Sequence, residues 1–231
     1  MFFLCPDFSV DRVRQMTKYE PQRAALACVT AFDVQLRSLE KCNLSILCHW
    51  RNQPEIRPYM EDDRPVTPKT MEVWFNKVRG GDAVWPYIAY MGERPVGYTE
   101  LKRVNRIDSS CEGGMFLFGK EYIGAGIGYN IVLCREIVMA GLGLRTLISR
   151  IRSSNTRSIS FCTKYGGEYM RTEGDFLIYT YEITRRRERL KAIAGIMGMA
   201  EEFVRHFEGG GYDPRASVSR GTALSAGSDS A

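Results

Sequence analysis

Tyr122-Ile123-Gly124-Ala125-Gly126-Ile127-Gly128 carries glycine at three alternate positions, and the chemistry this spacing permits is anion capture. Glycine has no Cβ, so the chain can turn tightly and bring bare N–H groups against a ligand. An apolar run, Gly114-Met115-Phe116-Leu117-Phe118, leads in as a strand would, and an amphipathic run leads out as a helix would. A helix starting just behind the glycines adds unpaired donors and the positive end of its dipole. Together these features describe a receptor for phosphate, best matched by the pyrophosphate of a nucleotide-bearing cofactor. A P-loop is excluded because Gly128 is followed by Tyr129-Asn130 where Lys-Ser/Thr is required. A Rossmann site needs G-x-G-x-x-G and an acidic residue closing the next strand, whereas this chain has G-x-G-x-G and Ile151-Arg152.

The elements that must hold this turn can be read from periodicity. Phe32 to Arg37 alternates like a half-buried strand, and Leu44, Leu47 and Cys48 follow at helical spacing. Thr67 and Pro68 open a helix with Met71, Trp74, Phe75 and Val78 on one stripe. Tyr87–Met91 and Pro95–Val104 read as a hairpin around Gly92-Glu93-Arg94, and Glu112 to Phe118 as the strand before the glycines. Ile127 to Val138 is helical, Leu144 to Ile151 a strand, and Asn155 caps a further helix stopped by Gly166-Gly167. Phe176 to Ile183 alternates as a last strand. These runs predict an α/β chain with a mixed sheet, organised as an extension (1–30), a central domain (31–184), a helix (185–208) and a disordered Gly/Ser/Ala-rich tail (209–231).

Composition narrows the class. The chain has 231 residues, 44% of them hydrophobic, enough for a sizeable core in one domain. The net charge of +5 suits phosphorylated ligands, and Arg185-Arg186-Arg187 lacks the interleaved aromatics of an RNA-binding surface. Seven cysteines without a C-x-x-C pair argue against a metal cluster or a disulfide framework, and point to a reducing cytoplasm. Met1 to Leu4 is too short for a signal h-region, and no apolar run approaches the roughly 20 residues of a membrane span. No metal, nucleic-acid or membrane partner is expected.

A third cofactor type, acyl-CoA, fits the order of motifs. Gly114 to Gly128 resembles the strand-plus-loop motif of the GNAT N-acetyltransferases, which ends Arg/Gln-x-x-Gly-x-Gly/Ala; Ile123 stands where the arginine or glutamine is usual. Asn155-Thr156-Arg157-Ser158-Ile159-Ser160-Phe161-Cys162-Thr163-Lys164-Tyr165-Gly166 resembles the family's Asn-x-x-Ala/Ser-x-x-Leu-Tyr-x-x-x-Gly-Phe segment. The resemblance spans roughly residues 32–184 and implies the GNAT fold, with two parallel strands splayed around the pantetheine of acetyl-CoA. It implies that Ile123, Gly124, Ala125, Gly126, Ile127 and Gly128 grip the pyrophosphate through main-chain N–H groups. It also implies an oxyanion donor on the main chain at Leu117, Phe118 or Gly119, and a pantetheine contact from Asn155, which is equally readable as a helix cap.

Direct transfer in a ternary complex would need a base for the amine, a donor for the oxyanion and a proton for the departing thiolate. Glu100 and Glu112 are the expected bases, ahead of His49. Cys162 stands where the family's leaving-group tyrosine is usual; it is as readable as core, with Tyr165 one turn later as the substitute. His49-Trp50-Arg51-Asn52-Gln53-Pro54-Glu55-Ile56-Arg57 and the later Trp74-Phe75 are similar to the Trp-Arg-Asn-x-Pro-x-x-Arg pattern of bacterial sugar-nucleotide N-acetyltransferases, and related patterns occur in ribosomal-protein N-terminal acetyltransferases. This implies an acceptor wall of Trp50, Arg51, Asn52 and Arg57, with the arginines on a diphosphate; Trp50 and Trp74 are also readable as core. The expected acceptor is a nucleotide-linked amino sugar. A protein α-amine and a non-catalytic acetyl-CoA-binding module are the alternatives, and a homodimer is compatible with all three.

Overall fold

The computed structural model describes residues 20–183. The cluster at 185–187, the helix expected over 185–208 and the tail 209–231 lie outside the described residues. Eight strands share one sheet: β1 (Cys28–Ala31), β2 (Val34–Ser38), β3 (Val84–Met91), β4 (Arg94–Asn105), β5 (Ser110–Leu117), β6 (Thr146–Arg152), β7 (Glu168–Glu173) and β8 (Phe176–Glu182). Spatial order follows chain order except at the end, where β8 lies beside β6 and β7 forms the edge. Every pairing is antiparallel except β5 with β6. The helices are α1 (Glu20–Ala25), α2 (Leu44–Arg51), α3 (Pro68–Val78), α4 (Ile127–Gly141) and α5 (Thr156–Lys164).

Local chemistry explains most of these elements. Thr67 accepts from the Thr70 N–H at 3.1 Å and starts α3 in a capping box, with Pro68 at the first helical position. Met71, Phe75 and Val78 are its buried stripe. Met71 and Phe75 join Leu44, Leu47 and Cys48 of α2 in a core cluster against Ile88, Tyr98 and Phe118. Gly92, at φ +57°, begins the two-residue connection between Met91 and Arg94, which pair across the β3–β4 hairpin. On the other face lies α4, buried from Ile127 through much of its length and packed under β1, β2 and β4. Gly97 permits that approach: a Cβ there would sit 2.9 Å from the Phe116 carbonyl and 3.2 Å from Ile131 Cδ1.

Two strands differ from the sequence reading. The sheet begins at β1, inside the stretch read as an extension, and Val29 and Ala31 are buried. The alternation read over Phe32 to Arg37 is the single strand β2, which starts only at Val34; Phe32, at φ 57°, belongs to the connection between Ala31 and Val34. A four-residue strand is too short to announce itself by alternation. β7 was also hidden, because it lies at the edge and its residues are exposed up to Thr172, so no apolar period marks it. Gly97→Ala should therefore destabilise the protein by about 1–3 kcal/mol through overpacking, read as a lower denaturant midpoint with an unchanged slope.

Candidate active site

β5 and β6 pair only at Ser110↔Thr146, Cys111↔Leu147 and Glu112↔Ile148. Beyond that point both strands continue, β5 bound to β4 and β6 bound to β8, so they diverge and leave a gap between their facing edges. The Phe118 N–H donates to the Val96 carbonyl at 2.8 Å, toward β4. Antiparallel ladders alternate. Met115 and Leu117 therefore turn their N–H groups the other way, into the gap. This corrects the expected oxyanion donors: Phe118 is spent on the sheet, whereas Leu117 and its neighbour Met115 are aimed at the opening.

The glycine turn closes the outer end of this gap. Gly124 (φ +83°) and Gly126 (φ +79°) both take the left-handed conformation, which a residue with a Cβ adopts only under strain. Gly126 is the N-cap of α4 and brings no side-chain acceptor. Among the described residues, none of the main-chain N–H groups of 124–128 has a protein acceptor; the first donors back onto the turn are Tyr129 and Asn130, both to Gly126 O. Gly128 allows a second close contact, since its missing Cβ would stand 3.3 Å from Phe161 of α5 and 3.4 Å from Met115 of β5. Ile123 is 40% exposed and has no hydrogen-bonding side chain. At the end of β6, Asn155 caps α5 by accepting from the Ser158 N–H at 3.1 Å, while its amide NH2 has no protein acceptor among the described residues. Cap and ligand donor are thus compatible roles for one side chain.

The α2 side of β5 is different in character. Glu100 lies directly across from Gly114, whose bare Cα has nothing within 4 Å of where a Cβ would be. The Tyr98 hydroxyl donates to Glu100 Oε2 at 2.7 Å and so holds the carboxylate. Burial pushes the Tyr98 hydroxyl well above its ordinary pKa, and the Glu100 charge adds to this. Arg51, at the end of α2, is held by a bond from Nη2 to the Asp62 carbonyl, while Nη1 is buried without a partner. Burial lowers its pKa, opposed chiefly by the Asp62 charge and then by Glu100 and Tyr98. Arg57 makes no side-chain hydrogen bond or ion pair among the described residues.

Among solved structures, AAC(6')-Ib in complex with ribostamycin and coenzyme A is 20% identical, with a TM-score of 0.58, over 69% of this chain and 97% of that one. Mycobacterium smegmatis RimJ in complex with CoA-disulfide is 14% identical, with a TM-score of 0.57, over 66% and 83%. Mutant forms of the spermidine/spermine N-acetyltransferase SpeG from Vibrio cholerae are 17% identical, with a TM-score of 0.57, over 68% and 98%. These likenesses concern the fold. No curated protein matches the chain by sequence. The acetyltransferase (GNAT) domain family, however, matches residues 33–168, more than half of the chain. The chain belongs to the GNAT acetyltransferase family. With that membership come N-acetyl transfer as the reaction and acetyl-CoA as the co-substrate.

Within this GNAT domain several expected site residues are committed elsewhere. Asn52 spends its amide on Val66, donating to the carbonyl at 2.7 Å and accepting from the N–H at 2.9 Å. It fastens the segment 53–66 to α2 and has little left for an acceptor. Trp50 stacks on Phe118, ring centroids 5.6 Å apart, as part of the core edge. Glu112 is ion-paired to Arg103. Cys162 is 1% exposed, receives the Tyr181 hydroxyl at 2.8 Å and is pushed up to about 11 by burial. Tyr165 is buried in a stack with Phe161 and Tyr129, edge-on to Tyr181. A thiol and a phenol so enclosed are sealed from solvent.

Sequence reasoning missed the segment 53–66 as a strap. Glu61 reaches Lys102 (2.6 Å) and Arg103 (2.9 Å) on one side of β5 and Arg150 (3.8 Å) on the other. Arg152 donates to the Met60 carbonyl at 3.1 Å, and Lys120 pairs with Glu55 at 2.8 Å. The strap therefore crosses the α2 side of the gap, anchored by charges on β4, on β6 and beyond β5. Mixed acidic and basic residues at these positions read in sequence only as a solvated surface. Among the described residues, no helix is long and apolar enough to cross a membrane, and no group of three His, Cys, Asp or Glu side chains could hold a metal ion.

Gly126→Val should lower acetyl-CoA affinity by about 100-fold or more in calorimetry, because the left-handed φ is lost and with it the aim of several charge-assisted N–H bonds, each worth about 1.5–3 kcal/mol. Far-UV circular dichroism should be unchanged. Burial works against ionised Glu61, but the hydrogen bonds from Lys102 and Arg103 outweigh it and hold the carboxyl at about 2. A depressed folded-state pKa stabilises above the unfolded value of about 4.3 and is lost as pH falls toward the folded value. Glu61→Gln should thus flatten part of the fall in melting temperature between about pH 4 and pH 2.

Proposed function

We propose that this enzyme acetylates the primary amine of a nucleotide-linked amino sugar by direct attack on acetyl-CoA in a ternary complex. The observation that carries the reading is Glu100: a carboxylate oriented by Tyr98, facing the uncovered Cα of Gly114 at the inner end of the gap. An amine entering from the α2 side meets that carboxylate first and the thioester next. Glu100 removes the ammonium proton, directly or through one water, and the neutral nitrogen attacks the carbonyl carbon. The Met115 or Leu117 N–H stabilises the oxyanion as it forms. Arg51, with its unpartnered Nη1, and Arg57 offer donors to a diphosphate on the same acceptor. Glu112, bound to Arg103, is the weaker candidate for the base.

The test is thiol release from acetyl-CoA against amino sugars, UDP-linked amino sugars and peptides. Turnover is expected on the sugar nucleotides; turnover on peptides alone would overturn the acceptor, and binding without turnover on any amine would leave a binding module. Glu100→Gln should reduce kcat by about 10²–10³-fold with little change in KM for acetyl-CoA, while Glu112→Gln should retain most activity. Cys162→Ala should lower turnover only modestly.

A further inference from the structure

Arg135 is unused by the mechanism above. It lies on α4, two turns after Gly128, and is 4% exposed. Among the described residues it has neither a hydrogen bond nor an ion pair, and its Nε is sealed from solvent without a partner. A buried, unpaired guanidinium is costly, and a chain retains one only where something offsets the penalty. Its position is specific. Nη1 would lie 3.3 Å from a Cβ on Gly113, the first residue of β5 past the last β5–β6 pair. Gly113 is thus bare so that Leu147 of β6 (2.7 Å from that Cβ position) and Arg135 can pack against it, whereas Gly114 opens onto nothing within 4 Å. The guanidinium's charge also acts on Cys111 of β5, Cys162 of α5 and Tyr181 of β8. It therefore stands beneath the inner end of the gap, among β5, α5 and β8. Glu136, the next residue, is also buried.

Meanwhile the thiol and phenol expected to protonate the leaving group are enclosed. We propose that Arg135 stabilises the departing CoA thiolate by its charge, replacing protonation by a tyrosine; this rests on the acetyl-CoA reading of the site. Nitrogen's lone pair forms the C–N bond, and the tetrahedral intermediate collapses with cleavage of C–S. The bonding pair goes to sulfur, facing the guanidinium. Two protons leave the acceptor nitrogen, one to Glu100 before attack and one to solvent as the intermediate collapses; Glu100 returns its proton to solvent, and the thiolate takes a proton from solvent as CoA departs. A fixed positive charge near the sulfur offsets the charge that grows there during collapse and adds little to ground-state binding.

The experiment titrates CoA bound to the full chain, following thiolate absorbance in the ultraviolet, in wild type, Arg135→Met and Arg135→Lys. Acetyl-CoA kinetics and thermal melts accompany it. In wild type the bound thiol should titrate about 1–3 units below free CoA. Arg135→Met should abolish that shift and reduce kcat about 100-fold, with KM for acetyl-CoA nearly unchanged. Its melting temperature should rise, because an unpaired buried charge is replaced by an apolar side chain of similar volume. Arg135→Lys should keep part of the shift, and carries the test if the methionine variant does not fold. A wild-type shift that survives in both variants overturns the proposal, as does a wild-type thiol that titrates like free CoA. Failure of wild type to bind CoA at all would instead overturn the acetyl-CoA reading beneath it, so the two failures are told apart.

Discussion

A main-chain N–H removed from one partner must find another, and this enzyme is organised around the place where β5 and β6 stop supplying partners to each other. Both strands are satisfied on their far sides, by β4 and β8. After Glu112↔Ile148 their near sides are therefore two rows of donors and acceptors facing an opening rather than a neighbour. The glycine turn continues the row of donors around the corner into α4. A chain-like ligand with amides, a thioester carbonyl and a diphosphate matches that sequence of groups from the inner end outward. The cost of leaving so much backbone unpaired is tolerable because the ligand meets it.

The two faces of β5 divide the chemistry. Gly113 and Gly114 are adjacent and so point to opposite faces. One brings the strand against Leu147 and Arg135 of α4; the other opens it toward Glu100 on the α2 side. A side chain at Gly113 would collide with Leu147, and one at Gly114 would fill open space beside Glu100. The strap 53–66 then crosses the α2 side, while α4 lies on the other.

Much of this was legible in the sequence, because most of it depends on local chemistry. The glycine spacing of 124–128, the Thr67-Pro68 start of α3, the Asn155 cap and the Gly92 connection each announce themselves in a few residues. What stayed hidden depends on tertiary context. Asn52 was read as an acceptor ligand from its place in the Trp50-Arg51-Asn52 pattern, but only the fold brings Val66 to its amide. Cys162 occupied the aligned position of a leaving-group acid, yet Tyr181 comes from a distant strand to cover it. Arg135 and Glu136 sit together in a mostly apolar helical run, where the charged pair reads as a breach of the pattern; the neighbour that Arg135 meets, Gly113, is brought to it only by the fold. The adjacent glycines mid-strand were a signal that could have been used, since interior glycines often mark close approach.

The sheet is in effect two leaves, β1–β5 and β6–β8, sewn together by a seam of three residue pairs. So short a seam leaves few sheet hydrogen bonds between the leaves, with Glu61 of the strap as a further tie between β4 and β6. A cofactor bridging both selvedges lengthens the seam. Occupancy should therefore stiffen the C-terminal leaf as a whole, including β7, which no cofactor atom need touch.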